Sequence, residues 1–429
     1  MNILIVLGRG VEGCGVTRFT IELETFLKKS HNVKVLAGSD KKWGRDDAQS
    51  NDFEKFKFKT GVWRDDTKYD MCIITSVPPK GIDKNDEIAD KIYNNFLTTL
   101  EELDTRIVYM QCDNKISSIN RNFYKDERYM HRFFDLLDRI IVHNLNADFV
   151  KKFIDKHSLR GHKFTIGQQV LISTDFDELN SIIDSSASKV DKTCWFIGRS
   201  AQWKGWREFR DFHTTKLRDA GYTSVIEGIE LSINAKQDLS NIDDNNKYTW
   251  RSDNLYEEQQ IGCKVEDILD NIDNYRNRPV LVYGPYTRVE ALNRMHRSKF
   301  GMFFTFTGPE FGGQIEITFL EIVGASTVPV IRKELWDCAY FNDKYLKEFG
   351  SPEELGIVVY DQTKKDDCLD LLNKLNSDDH LYNEYLRRCL AFCKSQFDRD
   401  YIINRLFEKC VSDENESFVG DIQQYNLWW

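Results

Sequence analysis

Short apolar runs alternate with amphipathic stretches along this chain. Ile3-Leu4-Ile5-Val6-Leu7 has no polar face and reads as a strand buried on both sides. A helix over about 17–29 follows it. Val33–Leu36, Met71–Ile74, Arg106–Met110 and Arg139–Val142 repeat the strand pattern, with a helix over about 86–103 between the second and third of them. The pattern restarts near residue 193. Cys194–Ile197 is a strand, Lys204–Ala220 a helix and Ser224–Ile226 a strand. Val280–Tyr283, a helix over 287–297, Gly301–Phe304, a helix over 314–323 and Val328–Ile331 complete the set. Strands alternating with helices predict an α/β chain of two Rossmann-like, doubly wound domains, each with a parallel sheet. The domains are expected at 1–185 and 190–378, joined through the polar stretch Asn180–Lys192, with a helical segment over 379–411 and a tail over 412–429. Residues 232–277 are polar and weakly patterned, which suggests an insertion or a long surface excursion.

Composition narrows the class. Hydrophobic residues are 41% of the 429 and charged residues 30%, so a soluble globular protein is expected, with no signal peptide and no apolar stretch long enough to span a bilayer. The ten cysteines show no C-x-x-C spacing, so reduced thiols are expected rather than a disulfide or zinc framework. The net charge of −10 argues against nonspecific coating of nucleic acid, but local cation clusters can still grip phosphates.

Two such domains are expected to face each other with their strand carboxyl ends, so a ligand belongs in the cleft between them. Candidate chemistry lies at those ends. Residues 10–17, GVEGCGVT, form a glycine-rich turn behind the first strand. Gly13 and Gly15 allow close backbone approach, and the next helix begins with free amides that suit an anion. Gly8, Gly10 and Gly13 read G-x-G-x-x-G, but they come too early relative to the helix for a dinucleotide fingerprint. Arg199 ends the first strand of the second domain and Lys204-Gly205 opens the next helix, placing two cations where a diphosphate would sit. Glu316 and Glu321 follow Gly312-Gly313 on one helix. At a spacing of five they reach different parts of an extended ligand, as acceptors for sugar hydroxyls. Asp113 follows a strand in Gln111-Cys112-Asp113-Asn114, where an acid can accept a proton or orient an acceptor, or merely cap a helix. Asp398-Arg399-Asp400 has D-x-D spacing but lies among helical residues, so no metal site is predicted. Protein cations would then neutralise the diphosphate.

These residues resemble the DNA α-glucosyltransferases of T-even bacteriophages. The likeness is carried by RGVEGCGVTRFTIE (9–22), SVP (76–78), Gln111 with Asp113, IGRSAQWKGW (197–206) with DFH (211–213), VIEGIELS (225–232) and EITFLEIVGASTVPV (316–330). The resemblance implies a GT-B fold with a C-terminal helix, the 379–411 segment, crossing back to the first domain. It implies sugar transfer from a UDP-sugar to the hydroxymethyl group of 5-hydroxymethylcytosine in duplex DNA, with retention. It also implies roles. Arg199 and Lys204 would hold the diphosphate, Glu321 the ribose and Glu316 the donor sugar. Backbone at Glu227 and Gly228 would meet the uracil, the Gly13–Val16 turn would lie near donor and acceptor, and Asp113 at the acceptor hydroxyl. The implied partners are modified duplex DNA and a nucleotide sugar, with no membrane, for a monomer in the cytoplasm of an infected bacterium.

The chain departs from the family pattern beside Asp113, where Cys112 and Asn114 replace histidines. A thiol is a poor donor to a hexose 6-hydroxyl, so a pentose donor such as UDP-arabinose is one reading, and UDP-glucose with another residue in the histidine's place is the other. Candidate DNA contacts are Trp43, Arg45, Lys55, Lys57, Lys59, Trp63 and Arg64, and Arg121, Lys125, Arg128 and Arg132 after the Asp113 loop, the cations for phosphates and an aromatic for the gap left by a flipped base. The competing functions are a GT-B transferase acting on a glycan or lipid, and a nucleotide-sugar binder without turnover.

Overall fold

The structure is a computed structural model and describes residues 1–8, 15–38, 53–78, 86–111, 127–142, 147–166, 173–197, 204–228, 248–252, 256–261, 279–283, 288–305, 316–337 and 350–412. The chain forms two compact units. One is Met1–Ser173 together with the chain from Arg399 onward; the other is Thr174–Asp398.

The first unit is built on β1 (Asn2–Leu7), α1 (Gly15–Leu27), β2 (Asn32–Gly38), β3 (Glu54–Phe56), β4 (Met71–Ser76), α2 (Asp86–Glu101), β5 (Arg106–Gln111), α3 (Glu127–Leu136), β6 (Arg139–Val142), α4 (Ala147–Lys156) and β7 (Phe164–Ile166). The strands pair in parallel in the order β3-β2-β1-β4-β5-β6-β7. Alternation within each strand divides the core. Leu4, Val6, Cys72, Ile74 and Tyr109 join Phe96 of α2 and Phe133 of α3 on one face. Ile3, Ile5, Ile73, Val108 and Met110 join Phe19 and Leu23 of α1 on the other. That two-sided burial is why these runs carry almost no polar residue.

The second unit contains α5 (Phe176–Ile182), β8 (Val190–Ile197), α6 (Trp206–Phe212), β9 (Thr223–Gly228), β10 (Tyr248–Ser252), β11 (Tyr256–Ile261), β12 (Pro279–Tyr283), α7 (Arg288–Arg297), β13 (Ser298–Phe303), α8 (Ile317–Gly324), β14 (Val328–Arg332), α9 (Lys333–Trp336), β15 (Val358–Tyr360), α10 (Lys365–Ser377) and α11 (Asp379–Phe397). Its main sheet is parallel, in the order β12-β9-β8-β13-β14-β15. β10 and β11 pair antiparallel as a hairpin within the stretch read as an excursion. The helix expected over Lys204–Ala220 is α6 continued by a π turn, His213–Leu217, which the buried hydrogen bond between His213 Nδ1 and Ser224 Oγ (2.8 Å) holds to β9.

The boundaries differ from those read in the sequence. α5 already belongs to the second unit, since Phe176 and Leu179 are buried and Leu179 lies against Gly324 of α8. The polar stretch after it is also anchored there. The Asp184 amide donates to Asn293 Oδ1 (2.7 Å), and Lys189 Nζ donates to the Ser298 carbonyl (3.0 Å). The segment 379–411 is not one returning helix. α11 stays in the second unit because Tyr382, Tyr385, Cys389 and Cys393 are buried on a face that packs against α8, α10 and β14. The helix ends at Asp398 (φ −57°, ψ 133°), and only α12 (Arg399–Val411) belongs to the first unit. There Ile402, Ile403, Leu406 and Cys410 cover α1, while Arg106 Nη2 and Arg139 Nη1 donate to the carbonyls of Ser412 (2.7 Å) and Lys409 (2.9 Å). The Thr174 amide donates to the Phe397 carbonyl (3.1 Å), so the two segments next to the unit boundary run side by side.

Cys72, Cys194, Cys368, Cys389, Cys393 and Cys410 are buried free thiols, and burial pushes Cys410 up to about 12. Among the described residues no helix is long and apolar enough to cross a membrane.

If α12 closes the α1 face, Leu406→Ala should cost about 2–5 kcal/mol, the range for a fully buried leucine. Denaturant unfolding followed by circular dichroism should show the lower midpoint.

Candidate functional site

The strand order of the second unit reverses between β8 and β13. From β8 the chain moves outward to β9 and β12; from β13 it moves the other way, to β14 and β15. Connections that leave neighbouring strands in opposite directions open a crevice at the strands' carboxyl ends, where ligands bind in open α/β sheets. Lys204 lies on the connection after β8, and Glu316 and Glu321 follow β13. Register levels the two ends, since Phe300 pairs with Cys194 and Gly301 with Trp195.

Local geometry then brings the side chains together. Gly205 caps α6 in the left-handed region (φ 78°), and a Cβ there would lie 2.3 Å from the Phe304 carbonyl oxygen. Only glycine combines that backbone with that approach. It presses the Lys204 turn onto the end of β13. Phe209 and Phe304 pack edge to face at 6.0 Å beneath it. Glu316 is the N-cap residue of α8, with extended backbone and no side-chain bond to the helix's own amides. Its carboxylate accepts from Lys204 Nζ instead, and both side chains are largely buried, at 13% exposure for Lys204 and 15% for Glu316. Glu321 is half-buried one turn further along α8. A largely buried lysine and a carboxylate at a helix start thus share a crevice with a second carboxylate on the same helix. That arrangement can take an anionic group and a polyhydroxylated one side by side. Glu227 and Gly228 close β9 next to it, Glu227 pairing in register with Ile197 at the end of β8.

The first unit has its own reversal, between β1 and β4. Gly8 sits there under tight constraint: its amide donates to the Ser76 carbonyl (2.8 Å), and a Cβ would lie 2.6 Å from the Val77 backbone. Gly15 and Val16 begin α1 above the β1 end, and Thr20 ties α1 to β4 through the buried Thr20–Thr75 hydroxyl pair (2.9 Å). Lys55 pairs in register with Ala37 on the edge strand β3, and Lys57 follows that strand; both are exposed at the sheet's carboxyl edge. Exposed Arg128 lies in the first turn of α3. The chain just after this helix meets the start of β5, where the Ile107 amide donates to the Asp138 carboxylate (2.7 Å), so the Arg128 end points toward the carboxyl edge.

Three of the suggested DNA contacts are otherwise employed. Trp63 is 3% exposed and donates from Nε1 to Glu54 Oε1 (2.6 Å) within the core. Arg64 makes a bidentate pair with Glu102 (2.8 and 2.8 Å). Arg132 clamps α2 through Glu101, Asn94 and Thr98. Nearby, Lys34 bridges Glu54 (2.8 Å) and Asp65 (2.6 Å). Desolvation opposes its charge, but the two carboxylates outweigh it and raise its pKa, while Lys34 and Tyr69 hold Asp65 well below the usual carboxylate range. Gly13, Cys112, Asp113, Arg121 and Arg199, with Trp43, Arg45, Asn114 and Lys125, lie outside the described residues. Among the described residues no group of His, Cys, Asp or Glu is placed to hold a metal ion.

Comparison with known proteins shows the family and the fold. The sequence profile of the DNA alpha-glucosyltransferase family matches residues 14–380. The DNA alpha-glucosyltransferase of Enterobacteria phage T4 is 25% identical over 442 aligned residues, covering 95% of this chain and 99% of the relative. A solved alpha-glucosyltransferase in complex with UDP and a 13-mer DNA containing a HMU base superposes with a TM-score of 0.73 at 23% identity, covering 96% of this chain and 100% of the other. One in complex with UDP-glucose and DNA containing an abasic site gives 0.71 at 23% identity, with coverage of 96% and 100%. Anabaena Alr3699/HepE in complex with UDP gives 0.55 at 13% identity, covering 95% and 99%. The fold is GT-B.

Gly205→Ala should destabilise the second unit by several kcal/mol, on the order of the strain and overpacking terms combined. Thermal melting would register the loss, and a variant as stable as the parent would show that the turn does not need the close approach to Phe304.

Proposed function

The chain belongs to the DNA alpha-glucosyltransferase family, and from that premise we propose that it transfers a sugar from a UDP-sugar to the hydroxyl of 5-hydroxymethylcytosine in duplex DNA, with retention. The observation that carries the reading is the Lys204–Glu316 pair, buried at the strand-order reversal of a unit whose relatives were solved with UDP and UDP-glucose.

The proposed mechanism assigns each group a charge to meet. As the bond between the anomeric carbon and the diphosphate oxygen breaks, negative charge grows on UDP. Lys204 and Arg199 stabilise it in a crevice with little water, where a fixed cation is worth far more than in solvent. Glu321 accepts from the ribose hydroxyls and Glu316 from the donor sugar; the backbone at Glu227 and Gly228 meets the uracil. The new bond forms from the cytosine hydroxymethyl oxygen, whose proton passes to Asp113. The turn through Gly13, Gly15 and Val16 lies near both substrates. The two cations supply the charge a divalent metal would otherwise bring, so none is required. The enzyme works as a monomer on phage DNA in the infected host.

The donor sugar is the finer point. The family and the UDP-glucose complex of a relative favour glucose. Cys112 favours a pentose, since a thiol is a poor substitute for an imidazole donor to a 6-hydroxyl that a pentose lacks. DNA is gripped at the carboxyl edge of the first unit, by Lys55, Lys57 and Arg128 among the described residues and Arg121 beyond them.

Incubation of hydroxymethylcytosine-containing duplex DNA with UDP-arabinose or UDP-glucose, followed by mass spectrometry of the nucleosides, should yield a pentosyl adduct. A hexosyl adduct alone would keep the enzyme class and overturn the pentose assignment. No adduct with either donor would overturn the reaction. Charge reversal of Lys55 and Lys57 together should weaken DNA binding and reduce the slope of log K against log salt by about 0.9 for each phosphate no longer neutralised. An unchanged slope would remove both lysines from the DNA interface.

A further inference from the structure

Glu316 meets Lys204 directly. In the proposed reaction the same lysine must face a diphosphate and the same carboxylate a sugar. We propose that the two side chains exchange partners during each turnover, and that Glu316 thereby makes the site discriminate UDP-sugar from UDP and promotes release of UDP. This rests on the donor-site reading under Proposed function and adds a competitor role for Glu316 to it.

Burial and chemical complementarity together favour the exchange. Neither side chain is well hydrated, at 13% and 15% exposure, so separating them is expensive unless each acquires a new partner. A carboxylate has only acceptor positions and an ammonium only donors. A UDP-sugar offers both complements at once, with phosphate oxygens for Lys204 and sugar hydroxyls for Glu316. UDP alone offers only the first. It draws Lys204 away and leaves Glu316 a half-dry carboxylate facing a diphosphate of the same sign. Before transfer, the exchange is therefore balanced. After transfer, the sugar has left with the DNA, and Glu316 recovers Lys204 at the expense of UDP.

The geometry favours such an exchange. Glu316 is the N-cap residue of α8 but makes no side-chain bond to that helix, so giving up Lys204 does not uncap it. Gly205 fixes the backbone behind Lys204 against Phe304, so the ammonium moves on its own stem and not with the turn. Glu321, on the same helix, serves the ribose in both states, and UDP retains that interaction whichever partner Glu316 holds.

Calorimetric titration of the full chain with UDP, UDP-glucose and UDP-arabinose tests this, comparing the parent with Glu316→Gln and Glu316→Asp. Glu316→Gln keeps the shape and removes the charge. It should tighten UDP about tenfold, the scale of one charge-assisted hydrogen bond, while the preference for the sugar nucleotide over UDP collapses. In steady state the same variant should show stronger product inhibition by UDP. Glu316→Asp keeps the charge and should leave UDP weakly held. Melting curves confirm that each variant is folded. UDP binding to Glu316→Gln that is unchanged or weaker than in the parent would overturn the exchange, since Glu316 would then serve only to position Lys204. A folded parent that binds neither UDP nor either sugar nucleotide would overturn the donor-site reading itself, and the exchange with it.

Discussion

Everything in the second unit's crevice depends on a constraint of connectivity. β8 and β13 are hydrogen-bonded neighbours, yet the chain leaves them toward opposite edges of the sheet. The connections cannot cover both strand ends, so the ends remain open and the side chains just beyond them converge. Lys204 and Glu316 are 112 residues apart and meet only because of this. A helix or hairpin pairing would bring together residues close in sequence, whereas a reversal in strand order joins the two halves of a domain at one place.

The convergence is useful only if the depth of each element is fixed, and close packing does this. Gly205 sets the Lys204 turn against the carbonyl of Phe304, just past the end of β13. On the opposite flank, Gly301 of β13 lets Ile322 approach so closely that a Cβ would lie 2.5 Å from it, which draws α8 down onto the sheet. One glycine therefore sets the height of the lysine and another that of the helix carrying both glutamates. Interiors packed at crystal-like density transmit such small volumes as position, so the ion pair is located by absent methyl groups as much as by its own attraction.

The sequence made the central strands legible and the edges obscure. β1, β4, β5 and β6 are buried on both faces and consist of continuous apolar runs. β3, β7 and β15 are three residues each, and β3 reads Glu-Lys-Phe because an edge strand may face water. The break between α11 and α12 was hidden because Asp398 is neither proline nor glycine. Burial of Tyr385 and Cys389 in one unit and of Leu406 in the other decides it, and both are long-range facts. Lys204, Glu316 and Glu321 could be chosen as candidates from their positions after strands, but nothing local announces that two of them are bonded. The same limit explains the reading of Trp63, Arg64 and Arg132 as surface groups for DNA. Their partners Glu54, Glu102 and Glu101 are 9, 38 and 31 residues away. A cation is visible in a sequence, whereas the carboxylate that occupies it is not.

That occupancy bears on how a chain of net charge −10 could hold DNA. At physiological ionic strength, charges farther apart than about 8 Å are largely screened, so a phosphate responds to its nearest neighbours and not to the protein's total. Arg64, Arg132 and Lys34 already face carboxylates and contribute little field to the outside. Lys55 and Lys57 are exposed at the carboxyl edge of the first sheet, the edge where α1 begins beside its own reversal in strand order. In the proposed reading, a few cations placed there hold the duplex while the acidic remainder repels it from every other face. The counterions released are few, so affinity stays moderate and its dependence on salt shallow. A modifying enzyme gains from that balance, because it must leave each cytosine as readily as it finds the next. Strong uniform positive charge would raise the residence time on DNA without raising the share of encounters that end in transfer.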